Sequence, residues 1–185
     1  MKPTTLVKYI FSTLILFTSL YSFSESKNGF DLTDASIETS KILSGGPQKD
    51  GIPSIDKPNF ISIKNSTLND DDYVVGIVYQ GVAKAYPISI LNWHEVVNDT
   101  YNNNGKDEGI VISYCPLCGT AVAFKSSING TNLQFGVSGL LYESDVLLYD
   151  RQTQSLWSQI LGSAVSGKFN TTQFESIPIS HTSFG

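Results

Sequence analysis

Residues 109–124, GIVISYCPLCGTAVAF, contain both cysteines of the 185-residue chain, Cys115 and Cys118, between two short apolar runs. The flanking residues are β-branched or aromatic, as in paired strands, and Pro116 and Gly119 are typical of a turn. The pattern therefore predicts a β-hairpin with two thiols at its tip. Backbone N–H groups inside a Cys-Pro-x-Cys-Gly turn can point at the sulfur atoms, which stabilises thiolates and prepares a site for a soft metal ion.

The hairpin tip resembles one knuckle of a rubredoxin or a zinc ribbon. Those proteins need two such knuckles for a four-cysteine site, and this chain has no other cysteine. A metal ion would therefore need ligands from elsewhere in the chain. His94 is the leading candidate, because two thiolates and one imidazole commonly bind Zn²⁺ and copper.

The composition indicates a single globular domain. With 41% hydrophobic and 16% charged residues, the chain is long enough to bury one core. The formal net charge is -5, and no run of Lys or Arg follows residue 8. A field of this sign repels nucleic acid, so we predict no nucleic-acid partner, and the sequence indicates no particular protein partner.

Residues 1–24 are predicted to be a signal peptide. Lys2 and Lys8 flank a short polar start, and residues 9–23 are nearly all apolar or hydroxylic. Ser22 and Ser24 place small side chains where cleavage after residue 24 requires them. An uncleaved membrane anchor is the alternative, but the apolar run is shorter than the roughly 20 residues of a spanning helix. We therefore expect a periplasmic or secreted protein in an oxidising compartment, with no membrane span after cleavage.

Hairpin signals dominate the chain after residue 72. The Gln80-Gly81 turn separates β-like runs at 73–79 and 82–86, and Asn129-Gly130 favours a type I′ turn. A third hairpin is predicted from residues 144–149 and 155–160. Helical spacing predicts short helices over residues 88–97 and, with a thinner apolar face, over residues 31–43. The predicted fold is mainly β, a barrel or sandwich of short antiparallel hairpins with one or two short helices.

Several segments closely resemble a bacterial family catalogued as domain of unknown function 3179. The segments, in chain order, are NWHEVVND (92–99), YCPLCGTA (114–121), FGVSGLLYESD (135–145) and YDRQTQSLW (149–157). The resemblance implies a shared fold over residues 45–185 and implies no activity. Members of the family usually continue further, which implies that this domain is truncated at its C-terminus. Residues 25–44 are predicted to be a loop-rich lead-in.

We predict an exported metal-binding protein in which Cys115, Cys118 and His94 hold copper or zinc, for metal handling or electron transfer. One alternative is a thiol-disulfide redox enzyme that uses the same two cysteines. The strand predicted after Cys118 argues against it, because thioredoxin-like enzymes place this motif at the start of a helix. Another alternative is a non-enzymatic binding or scaffold module with structural cysteines. Four residues are predicted to support the ligands or line a polar pocket: Glu95, Tyr114, Asp145 and Arg151.

Overall fold

The computed structural model describes residues 25–103 and 105–185, so the predicted signal peptide lies outside the described residues. In this part of the chain the strands are β1 (Ser26–Lys27), β2 (Phe30–Asp31), β3 (Ile42–Ser44), β4 (Tyr73–Tyr79), β5 (Val82–Pro87), β6 (Val96–Asn103), β7 (Lys106–Cys115), β8 (Thr120–Lys125), β9 (Ser127–Ile128), β10 (Thr131–Asn132), β11 (Phe135–Tyr142), β12 (Asp145–Asp150), β13 (Leu156–Ser158), β14 (Ser163–Ala164), β15 (Ser176–Ile177) and β16 (Ser180–Ser183). The α-helix α1 is Ile88–His94, and short 3-10 helices span Thr39–Lys41 and Ile63–Asn65. No helix of the described residues is long and apolar enough to cross a membrane.

Three antiparallel sheets form the body of the fold. The long sheet has the order β14-β13-β12-β11-β3, the central sheet β15-β8-β7-β6, and the terminal sheet β16-β4-β5. Two-stranded hairpins, β1-β2 and β9-β10, lie outside these sheets. The predicted mainly β fold of antiparallel hairpins is confirmed. It takes the form of open sheets, because no sheet of residues 25–103 and 105–185 closes into a barrel.

The central sheet lies between the other two and is apolar on both faces. On β7, Val111 and Cys115 pack with side chains of the long sheet that include Trp157. The alternate residues of β7, such as Ile112, pack with the terminal sheet, including Val75. Successive side chains of a strand point to opposite faces, so one continuous apolar run can serve two cores.

The lead-in, residues 25–44, packs on the outer face of the long sheet. β3 pairs with β11, and a third core cluster contains Phe30, Leu32 and Ile42. The helix predicted over residues 31–43 is wrong, because this stretch contains the end of β2, one 3-10 turn and the start of β3. Leu32 and Ile42 are buried against a sheet while Leu43 is exposed, an alternation that extended backbone gives and a helical face does not.

The helix predicted over residues 88–97 is shorter than expected. α1 ends at His94, because Glu95 has a positive φ of 57° and Val96 begins β6. Val96 pairs with Ser113 of β7 and is completely buried. Pairing with the central sheet therefore overrides the helical spacing of the apolar residues.

The predicted hairpins are confirmed. β4 pairs with β5 across Gln80-Gly81, and β9 pairs with β10 across Asn129-Gly130. All four turn residues have positive φ, as a type I′ turn requires. The third predicted hairpin is β12 paired with β13.

Asn98 links the central sheet to the long sheet. Its side-chain oxygen accepts from the Phe135 backbone N–H at 2.7 Å, and its amide nitrogen donates to the Phe135 carbonyl at 2.8 Å and to Asp56 at 2.9 Å. Asn98 is buried, so these bonds are protected from water. The amide thus satisfies both backbone groups of Phe135, at the start of β11.

We expect Asn98→Asp to lower the free energy of unfolding by about 2–3 kcal/mol. The carboxylate cannot donate to the Phe135 carbonyl and repels Asp56, which leaves buried polar groups without partners. Denaturant titration followed by circular dichroism measures the change. The control is Asn59→Asp at an exposed position, and equal stability of the two variants would contradict the linking role of Asn98.

Candidate metal centre

The two cysteines lie at the end of the β7-β8 hairpin, as the sequence predicts. Cys115 pairs with Thr120 in the last register position, and the Gly119 N–H donates to the Cys115 carbonyl at 2.8 Å. Gly119 has a positive φ of 64°, which glycine adopts without steric cost. The tight turn leaves Cys115 buried and Cys118 exposed, both as free thiols.

Asp145 joins the cysteines from the long sheet. One ligand atom each from Cys115, Cys118 and Asp145 lies within 4.8 Å of the other two. The Cys118 sulfur is 3.3 Å from Asp145 Oδ1, and Asp145 is 5% exposed as the first residue of β12. Two sulfur atoms and one carboxylate oxygen form a donor set that Zn²⁺ accepts in proteins. We call Cys115, Cys118 and Asp145 the CCD cluster.

Buried polar side chains surround the CCD cluster. Gln159 Nε2 donates to Thr120 Oγ1 at 2.7 Å and to Asp145 Oδ1 at 3.1 Å. Gln159 Oε1 accepts from Ser113 Oγ at 2.5 Å, and both residues are almost completely buried. Thr120 Oγ1 also lies 3.1 Å from the Cys118 sulfur. Amide and hydroxyl partners of this kind orient the ligands of protein metal sites.

The electrostatics of the cluster oppose negative charge on Cys115. Burial raises the pKa of the Cys115 thiol to about 12; the Cys118 side chain and Asp145 add to this increase, and a hydrogen bond from the Cys118 backbone partly opposes it. A free thiolate at this position is therefore unfavourable in water at neutral pH. A cation bound by the cluster would reverse this preference, since a coordinated thiol is deprotonated.

The sequence of residues 49–185 was compared with known protein families. Residues 49–185 match the family described as "Protein of unknown function (DUF3179)". The chain belongs to this family. No curated protein and no solved structure matches the chain. The resemblance noted from the sequence is thereby confirmed, and the match covers the three sheets of this DUF3179 domain except β3.

His94 is not a member of the CCD cluster. Its Nδ1 lies 2.7 Å from the Pro53 carbonyl oxygen, which makes Nδ1 the protonated ring nitrogen. Near it, the Tyr114 N–H donates to the Glu95 carbonyl at 2.8 Å, so the backbone after α1 runs beside the end of β7. The role of His94 as a ligand stays a prediction.

The other predicted supporting residues are dispersed. Arg151 donates to Asp56 at 2.7 Å and to Ser54 at 2.6 Å, so it holds the segment that precedes β4 in the chain. Tyr114 packs in the core on the opposite side of β7 from Cys115. Burial raises the pKa of Glu95 at the end of α1. Asp145 is the member of this group that the fold brings to the cysteines.

Sequence reasoning missed Thr120, Gln159 and Ser113. Thr120 stands two residues after Cys118, so a polar side chain near the hairpin tip could have been noted. Gln159 follows β13 on another sheet, and its contact with Thr120 depends on how the long and central sheets pack. Ser113 is one polar residue within the apolar β7 run, which was a signal for a buried hydrogen bond.

We expect iodoacetamide to modify Cys118 well before Cys115 in reduced, metal-free protein at pH 8. Cys118 is exposed, whereas Cys115 is buried and its raised pKa disfavours the reactive thiolate at that pH. Peptide mass spectrometry over time measures both rates. In urea the two rates should converge, and equal rates in the folded protein would contradict the described burial.

Proposed function

We propose that this DUF3179 protein is exported and binds one transition metal ion through Cys115, Cys118 and Asp145. The observation that carries the proposal is the CCD cluster, in which three potential ligand atoms, two from the β7-β8 hairpin and one from β12, lie within 4.8 Å of one another. Cys115 and Asp145 are buried, so their positions are fixed by the packing of the two sheets. Preformed ligands reduce the entropy that binding costs.

The donor set favours zinc over copper. Cu(I) prefers soft ligands such as thiolates and thioethers, whereas Zn²⁺ accepts carboxylate oxygen beside thiolate sulfur. Loss of two thiol protons gives three negative charges in the cluster, which a divalent ion offsets more fully than a monovalent ion. We therefore propose zinc as the resident ion.

The proposal is metal handling and assigns no substrate. A groove of about 1040 Å³ runs beside the terminal sheet, and Cys115, Cys118 and Asp145 do not line it. With Cys118 exposed, an ion held by the cluster would be reached from the protein surface. Exchange of an ion with another molecule needs access of this kind.

A thiol-disulfide redox function is the second candidate. It is supported by the exposure of Cys118 and by the two free thiols of the Cys-x-x-Cys motif. The strand context opposes it, because β8 begins at Thr120 and the motif does not open a helix. The raised pKa of the Cys115 thiol also opposes it, because the thiolate is the reactive form.

We expect reduced protein to bind one equivalent of Zn²⁺, and Cys115→Ser or Cys118→Ser to weaken the affinity by more than about 100-fold. Asp145→Asn retains an oxygen atom and loses the charge, so we expect a loss of about 10- to 100-fold. Competition with a chromophoric chelator measures each dissociation constant. Melting of the metal-free variants shows whether each variant is folded.

The matched control is Asp71→Asn, which removes an exposed carboxylate far along the chain from the CCD cluster. This variant should bind Zn²⁺ as the wild type does. If the wild type binds Zn²⁺ no more tightly than the double variant Cys115→Ser, Cys118→Ser does, the metal proposal is overturned. A quantitative disulfide in freshly exported protein would support the redox function instead.

His94 is proposed as the fourth ligand, through Nε2. A ligating histidine usually donates its other ring N–H to a carbonyl or carboxylate, and His94 Nδ1 has such a partner in the Pro53 carbonyl. We expect His94→Gln to lower Zn²⁺ affinity by roughly 10-fold, which is less than the effect of Cys115→Ser, because the thiolate supplies the charge. Unchanged affinity in the folded variant would remove His94 and leave the fourth place to water.

A further inference from the structure

The hydrogen bonds around the CCD cluster have a fixed direction. An ionised Asp145 only accepts hydrogen bonds, so the side-chain atom of Gln159 that faces it must be the amide nitrogen. The amide oxygen of Gln159 is therefore the atom that faces Ser113 and accepts its hydroxyl proton at 2.5 Å. Ser113 and Gln159 are 0% and 1% exposed, so water does not compete for these groups.

The same assignment of donors and acceptors extends to Thr120. Gln159 Nε2 has two hydrogens, and its shortest contact is the 2.7 Å bond to Thr120 Oγ1. A hydroxyl that accepts in this way still has one proton to donate. Two acceptors lie within reach of it, the Cys118 sulfur at 3.1 Å and Asp145 Oδ1 at 3.4 Å.

We propose that Thr120, oriented by Gln159 and Ser113, donates a hydrogen bond to the Cys118 thiolate and so tunes the bond between that sulfur and the metal ion. This inference rests on the proposed function. In metal-free protein Cys118 can donate its own proton to Asp145 at 3.3 Å. Once that proton is lost to metal binding, Thr120 is the donor of the Thr120-Cys118 contact.

A hydrogen bond to a ligating sulfur withdraws electron density from it. It also holds the side chain of an exposed ligand in place, which matters for Cys118 because Cys115 is already fixed by burial. Thr120 is thus a positioning residue that acts through Cys118. Its half-buried side chain lies at the first position of β8, beside the turn that carries Cys118.

The test compares Co²⁺-loaded wild type with Thr120→Val, which keeps the shape of the side chain and removes its O–H. We expect the sulfur-to-cobalt charge-transfer band to move to lower energy, and the Co²⁺ dissociation constant to rise about 10-fold. Thr120→Ser restores the hydroxyl and should restore both values. Thr182→Val, an exposed threonine on β16, is the matched control and should change neither.

A second variant tests the direction of the hydrogen bond between Gln159 and Thr120. In Gln159→Glu one carboxylate oxygen can still accept from Ser113, while the other becomes an acceptor facing Thr120. The Thr120 hydroxyl then donates to that carboxylate and is lost to Cys118, so the band should move in the same direction as in Thr120→Val. Melting of the metal-free proteins shows that each variant is folded.

The outcomes separate the two proposals. If the wild type shows the charge-transfer band and folded Thr120→Val shows it at the same energy, the role of Thr120 is overturned and the metal site is retained. If Thr120→Ser does not restore the band, the role of Thr120 is also overturned, because a steric effect of the threonine methyl group would then explain the change in Thr120→Val. If wild-type protein shows no charge-transfer band with Co²⁺, both proposals are overturned.

Discussion

Burial of β7 on both faces is the constraint on which the rest of the structure depends. A strand that is apolar on both sides needs a layer above it and a layer below it. The long sheet and the terminal sheet supply those layers, and β6 and β8 cover the two edges of β7. The last residue of this strand is Cys115, so the most restricted element of the fold ends in the candidate metal centre.

The same burial explains the polar side chains near the cysteines. Ser113 lies within the apolar part of β7 and must find a hydrogen-bond partner inside the protein, because an unpaired buried hydroxyl is costly. Gln159 provides that partner from the turn after β13. Its amide oxygen accepts from Ser113, and its amide protons therefore face Thr120 and Asp145. A packing requirement of the core thus fixes the surroundings of the candidate ligands.

Sequence patterns predicted the parts of this fold that depend on residues adjacent in the sequence. Asn129-Gly130 and Gln80-Gly81 carry their turn geometry in their own backbone preferences, and the hairpin at Cys115 has the same local character. The predicted end of α1 lies beyond its actual end, because pairing of Val96 with β7 is a long-range contact. Asp145 was noted only as a pocket residue, since its approach to Cys118 depends on how two sheets pack. Those relations arise in three dimensions and leave no local pattern.

The pairing of β16 with β4 has a consequence for how the chain folds. Ser180 lies opposite Gly76, and the core beneath the terminal sheet includes Ile177 from the same end of the chain. β3 likewise pairs with the distant β11. Contacts between residues so far apart in sequence slow folding, because each must first overcome the entropy of closing a long loop. The terminal sheet is therefore complete only after β16 has left the ribosome, whereas the β4-β5 hairpin can pair as soon as its own residues are made.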